Sequence, residues 1–501
     1  MNFFSFAYCF LPKLVVKCSE SSNTFKEEIT LNDTFKPESK SIKRFIIMSI
    51  IGVFLFMAPI PDGEGAFNIP LGIAIDWVND NIFSAVTVTT SSGSEEAWGG
   101  AGELHLHHLI ALIAITMSLF GTILAYTIKP GFIENNPKVR ELFRSSPLYI
   151  VTKVIAFVFA WMIFLGVGPD AVIASFTGDV MIGLVASLVT IFIFLAPTMP
   201  IITDFGLMEF IGIYIKKFVR ALFTLPGRAS VDLMASWFGS SVASVIITRG
   251  QHERGFYTGR EAAVIAVNFS FVSLPFTFVV VRTIGITELF FPFIGIVYLV
   301  CIILALFMPR IPPLRNLPDT YLEEVGKQID EEWPEGESRF DHALSVATKR
   351  AEETTAKGIV KAGLNNYLSI FMDLIPIVLA WGTLGLMVVE LTPFFDVVAA
   401  PMGWFLSLFQ VPYAMEFAHV GLIGFIDMFL PALFLGGAPV ETQFILGVLS
   451  IVQIVYLAET GVLIIKSKMP LGIGKLFIIF LIRTIIALPL IVLFTRLFLN
   501  L

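Results

Sequence analysis

VDLMASWFGSSVASVIIT, residues Val231–Thr248, is the stretch on which the reading of this chain turns. It is mostly apolar and, at ~18 residues, about long enough to cross a bilayer as one helix. Arg228 precedes it and Arg249 follows it, whereas Lys and Arg are biased to one side of a membrane. At its midpoint stand Gly239, Ser240 and Ser241, a run that favours a break over a continuous helix. The pattern predicts a re-entrant hairpin that enters and leaves on one face. Irregular backbone persists at membrane depth only when buried in protein or lining a polar cavity. The hairpin therefore predicts a cavity.

The surrounding chain suits that reading. Of its 501 residues 56% are apolar, the mean hydropathy is +0.83, and apolar runs of about 20 residues recur, as soluble domains seldom allow. The expected fold is all-α: a polytopic helical membrane protein of about nine spans plus two re-entrant hairpins in an inverted-topology repeat. The net charge of −7 is spread over loops, and no basic patch points to nucleic acid. Cys9, Cys18 and Cys301 are too scattered for a disulfide framework, a zinc cage or a redox pair.

Lys and Arg set the expected topology. Residues 1–43 read as a weakly ordered cytoplasmic leader and 44–180 as the N-terminal spans. Residues 181–308 form a first repeat with a hairpin at 229–248, and 309–364 a hydrophilic cytoplasmic linker. A second repeat covers 365–501, with a hairpin at 418–437. The spans fall near Arg44–Ile60, Leu106–Thr127, Leu148–Val167, Met181–Ile202, Ala262–Val281, Leu289–Met308, Tyr367–Val389, Phe444–Ile465 and Leu476–Phe498. Glu209–Leu225, with Lys216, Lys217 and Arg220 among apolar residues, has the composition of a surface helix.

The two repeats follow one order. A span ending in PTMPIITDFG (Pro197–Gly206) leads to a surface helix, the first hairpin, and a span holding Asn268, Ser270 and Ser273. A span ending in VELTPFFD (Val389–Asp396) leads to a surface helix, a second interrupted segment (Val420–Gly437), and a span holding Ser450, Gln453, Glu459 and Thr460. The sidedness is opposite, as in secondary transporters whose interrupted segments meet near the midplane.

Polar groups at membrane depth must find partners or line water. Ser236, Ser240, Ser241 and Ser244 cluster in the first hairpin, although Ser in membrane helices also packs small and bonds to its own backbone. Pro275 lacks a backbone donor and frees carbonyls near Phe271, beside Asn268 and Ser270; an ordinary kink with Asn268 bonded between helices fits the same residues. Asp373, Asp427 and Glu459 are deep carboxylates suited to carrying a coupling cation, and Gln453 to holding solute. Asp373 and Asp427 have no basic neighbour in sequence. Glu103, His105, His107 and His108 do not share one helical face, so interfacial histidines are preferred over a metal site. No HExxH, GxSxG or P-loop appears, and neither a catalytic role nor a bound cofactor is expected.

TDFGLMEFIG (Thr203–Gly212), LPGRASVDLMASWFGSS (Leu225–Ser241), GFYTGREAAVIAVNFSFVSLPF (Gly255–Phe276), MPRIPPL (Met308–Leu314) and VYLAETG (Val455–Gly461) resemble the YjiH-type membrane proteins, which carry the nucleoside-recognition, or Gate, domain. The resemblance runs from Ile46 to Phe498. It implies that the first hairpin and the broken span after it contact substrate and a coupling cation, through Ser240, Ser241, Asn268 and Ser270.

The expectation is a secondary active transporter of nucleosides or similar small polar solutes, coupled to H⁺ or Na⁺, multi-pass in a bacterial inner membrane. Its partners would be the solute and the bilayer, with a second copy of the chain as a further candidate. The rival is a Gate-domain membrane protein that does not transport and serves an assembly.

Overall fold

The computed structural model describes residues 38–61, 67–83, 87–89, 103–135, 137–144, 147–223, 225–227, 229–239, 241–322 and 338–499. The expected leader lies almost wholly outside them. Helices carry the structure; two short antiparallel pairings, Ile60–Pro61 with Phe67–Asn68 and Thr87–Thr89 with Glu103–His105, are the strands among the described residues.

In chain order the helices that frame the site are α1 (Ser39–Met57), α2 (Pro70–Val78), α3 (Leu106–Thr127), α4 (Pro147–Leu165), α5 (Val180–Thr203), α6 (Leu207–Phe223), α7 (Ala229–Met234), α8 (Ser241–Glu253), α9 (Gly259–Asn268), α10 (Leu274–Ile284) and α11 (Phe290–Phe307). After these come α12 (Arg339–Glu353), α13 (Ala356–Ser369), α14 (Ile375–Leu391), α15 (Ala400–Leu408), α16 (Val440–Val452), α17 (Val462–Lys466) and α18 (Ile473–Leu499). Among the described residues five helical stretches are long and apolar enough to cross a membrane: Leu106–Thr127, Thr177–Thr203, Thr287–Arg310, Lys357–Val388 and Ile473–Leu499. This is an integral membrane protein.

The helix α3 shows why. Its buried face is mostly small, with Ala111, Ala114, Ser118, Thr122 and Ala125, while Ile113, Met117 and Phe120 point outward and are exposed. Small residues three and four apart let backbones approach closely, which is how helices pack where lipid removes the hydrophobic drive. Its neighbours are α4 and α5. The seventh span is longer than its sequence suggests: α13 starts at Ala356 and runs into α14 through a widened turn at Ile370–Leu374. The stretch 356–364 thus belongs to that helix and not to a linker.

The part of the expected linker that forms α12 is docked, not solvated. Ala347 and Ala351 of α12 form an apolar cluster with Phe45 and Phe205. Thr354 Oγ1 donates to Asp204 O at 2.6 Å, and Arg44 donates to Thr354 O. Gly206, at φ +93°, passes so near α12 that a Cβ there would lie 2.2 Å from Ala347 O. Only glycine accommodates both that φ and that approach.

Val231–Thr248 doubles back. In a straight helix Asp232 and Thr248 would stand ~24 Å apart; here Thr248 Oγ1 donates to Asp232 Oδ1 at 2.7 Å. Val420–Gly437 is likewise no rod. Its single-turn helices, Val420–Ile423 and Leu430–Leu433, pack on each other and on α16. The fifth and eighth spans are both interrupted, between Asn268 and Leu274 and between Val452 and Leu457.

A candidate solute site at two helix breaks

Each hairpin is bonded to the break that follows it. Ser236 Oγ donates to Phe271 O at 2.6 Å, which satisfies a carbonyl that Pro275 leaves without a partner. In the second half Phe425 O accepts from Leu457 N at 2.8 Å, and Gly421 O accepts from Gln453 Nε2 at 2.8 Å. The halves also interleave. The helix α8 packs against α17 and the turn before it, while Leu430–Leu433 packs against α10, where Phe276 and Phe429 meet edge to face at 5.9 Å.

Both breaks end on one guanidinium. Arg483, from the middle of α18, is fully buried. Its Nη1 donates to Val267 O at 3.2 Å and to Asn268 Oδ1 at 2.7 Å. Its Nε and Nη2 donate to Val452 O at 3.2 and 2.8 Å. Val267, Asn268 and Val452 are the C-terminal residues of α9 and α16, where unbonded carbonyls and the negative end of the helix dipole favour a cation. Tyr456 closes two more such carbonyls, its hydroxyl lying 3.0 Å from Ser450 O and 2.7 Å from Ile451 O. Beside it Ile454 is held at φ +59°, a strained conformation for a β-branched residue.

The expected solute residues mostly converge here. Asn268 bridges Arg483 and Val264 O, the latter at 3.0 Å. The Ser270 hydroxyl is fully buried and, among the described residues, has no hydrogen-bond partner. Gln453 places its amide nitrogen on Gly421 O and on Thr484 Oγ1 at 2.9 Å, and leaves its Oε1 without a partner. Ser241 is buried at the start of α8. Ser240 lies outside the described residues, as does the side chain of Glu459.

Two expected cation carriers have partners within the protein. Asp427 Oδ1 accepts from the backbone N–H groups of Phe429 at 2.8 Å and Leu430 at 3.4 Å, so this carboxylate holds its own turn. Asp373 sits 3.1 Å from the Lys153 ammonium of α4, a partner its sequence neighbourhood lacks. Lys153 is almost completely buried and also donates to Leu142 O at 2.9 Å. That pair belongs to the α3–α4–α14 bundle, not to the breaks.

The residues expected to line a cavity beside the first hairpin are buried where they are described. Asn268, Ser270 and Gln453 are wholly inaccessible, packed with Phe269, Phe271 and Tyr456. Two clefts, of about 390 and 450 Å³, lie elsewhere, by Pro312, Pro313 and Lys475 and along Ser407–Glu416. Among the described residues no group of three or more His, Cys, Asp or Glu side chains is arranged to hold a metal ion.

Arg483, Lys153 and Asp232 were not singled out from sequence. Their signal was present, since a cation inside a span is as conspicuous as a carboxylate. What sequence lacked was the partner.

Comparison with known proteins adds a family. Residues 185–287 match the Gate family model, described as nucleoside recognition. The chain is 39% identical over 479 residues to the uncharacterized protein BpOF4_10220 of Alkalihalophilus pseudofirmus, covering 94% of this chain and 99% of that protein. A solved structure of CNTnw in an outward-facing state aligns at 14% identity over 78% of this chain and 98% of its own, with a TM-score of 0.36, too loose a superposition to carry an argument.

Proposed function

The chain belongs to the family of the Alkalihalophilus pseudofirmus protein and carries a nucleoside-recognition segment, and from that premise we propose that it is a secondary active transporter, not an enzyme. Its solutes are nucleosides or similar small polar molecules, its driving ion H⁺ or Na⁺, and its location a bacterial inner membrane. The YjiH-type kinship and the inverted relation of residues 181–308 and 365–501 are part of the same proposal. The observation that carries it is the meeting of α9 and α16, one from each half, on a single buried group, with the Ser270 hydroxyl and Gln453 Oε1 left unpaired beside them. Buried polar atoms without partners are rare in folded proteins and call for an explanation; a polar solute admitted when the breaks part would supply one. Ser240, Ser241, Asn268, Ser270 and Gln453 would read the solute, and Asp373, Asp427 and Glu459 are the carboxylates available for coupling.

The test is a thermal-shift screen of purified protein against nucleosides, bases and amino acids, followed by uptake into proteoliposomes. Asn268→Ala is expected to abolish uptake while the protein still accumulates. Unchanged uptake kinetics would remove Asn268 from the site. The complete closure of the breaks favours a second reading, a scaffold that does not transport. That reading gains if no ligand shifts the melting temperature and Asp373, Asp427 and Glu459 all tolerate apolar replacement.

A further inference from the structure

Where α9 and α16 end, three oxygens converge from two separate helices: Val267 O, Asn268 Oδ1 and Val452 O. Oxygens of this kind, at unwound points and half-helix C-termini, are what secondary transporters use to coordinate a coupling cation. In this chain a protein group already occupies their focus. Four hydrogen bonds from Arg483 reach all three. No carboxylate of a described residue forms an ion pair with it, so carbonyl dipoles and two helix C-termini answer its charge.

We propose that Arg483 is a built-in cation: it stands where a coupling metal ion would otherwise bridge the two breaks, and so makes the closed arrangement independent of Na⁺. The geometry suits that role better than a simple brace. A brace needs one strong contact on each side, whereas here four of five guanidinium N–H groups are spent on backbone and amide oxygens at two helix ends. The side chain comes from α18, which is outside both hairpin-and-break units, so one rigid helix can hold or release both breaks together. The inference deepens the transport reading by directing coupling away from a metal ion at the breaks and toward protonation of a carboxylate. Its functional meaning rests on that reading, but its test needs no transported solute.

The experiment measures the melting temperature of purified full-length protein in NaCl, KCl and choline chloride at matched ionic strength. Wild type is expected to melt alike in all three. Arg483→Gln is expected to melt lower in choline and to recover with Na⁺ or K⁺ in a saturable way, by roughly 2 °C or more. Arg483→Lys retains a charge without the planar fork and is expected to melt lower while remaining indifferent to the salt. A purely structural arginine would lower the melting temperature of Arg483→Gln equally in every salt, and that result would overturn the proposal. So would a saturable Na⁺ stabilisation of wild type that choline does not reproduce, a measurement that decides even if Arg483→Gln fails to accumulate. No nucleoside-induced shift together with a salt-indifferent wild type would remove the transport reading and leave Arg483 standing. A nucleoside shift together with a Na⁺-dependent wild type would do the reverse.

Discussion

The first hairpin is closed by a buried carboxylate, whereas the second is held to the break after it by one main-chain bond and one side-chain amide. In the first, Asp232 accepts from Thr248 Oγ1 at 2.7 Å and from the Tyr257 hydroxyl at 2.6 Å, so one buried carboxylate ties together both arms and the approach to the next span. In the second, the corresponding carboxylate, Asp427, turns onto its own backbone, and closure falls to Phe425 O with Leu457 N and to Gln453 with Gly421 O. The reason lies in the arms. The helix α8 is 13 residues long and its backbone groups are spent within it, leaving only side chains to join it to α7. The helices of Val420–Gly437 are four residues each, so a backbone group such as Phe425 O is left to pair across the fold. The first brace depends on one carboxylate, whereas the seam of the second segment divides between Phe425 O and the Gln453 amide.

This contrast can be broken experimentally. The largest expected effect is that of Asp232→Ala, which leaves buried Thr248 and Tyr257 hydroxyls without that acceptor and should cost about 3 kcal/mol. Asp427→Ala removes a local turn cap and should cost about 1 kcal/mol. Thermal unfolding of the two purified variants checks the ranking, and equal losses would erase the distinction. Gly424→Ala should act next, at about 1 kcal/mol. An added Cβ would lie 2.1 Å from Gln453 Oε1 and push the amide off Gly421 and Thr484. In a Gln453→Ala background the same change should cost almost nothing, and a double-mutant cycle reads the difference; additive losses would show that the seam does not depend on Gln453.

The smallest effect concerns the surface helices. Glu209 of α6 lies 3.7 Å from Arg350, while α15 in the second half carries no charge. Burial raises the Glu209 carboxyl above its ordinary value of 4.5, a rise that its own backbone hydrogen bond and Arg350 partly offset. The folded chain therefore holds this proton more tightly than the unfolded chain. Its contribution to stability is greatest in acid and declines as pH rises from 4.5 through the raised value. Glu209→Gln should flatten that decline in melting temperature, and an unaltered slope would place the pH response elsewhere.

Much of the architecture was legible from local pattern. Helix α3 runs over Leu106–Thr127 as its apolar run predicts, and Val231–Thr248 doubles back rather than running straight. The linker was misjudged because α12 is polar on average; its Ala347–Ala351 face finds Phe45 and Phe205 only in three dimensions. Within the site, Asn268, Ser270 and Gln453 stood out because polar groups in apolar spans are costly. Arg483 lies about 215 residues from Asn268 along the chain, a separation no local pattern bridges.

Sequence alone determined the class of this protein and where its backbone must break, because apolar length, cation placement and Gly, Ser and Pro act within a turn or two of themselves. Tertiary structure alone decided which buried charges meet: Arg483 with two helix ends, Lys153 with Asp373, and Asp232 with Thr248 and Tyr257. The physical reason is range. Breaking a helix is a local event, whereas a buried charge is stable only through partners that folding brings from elsewhere in the chain.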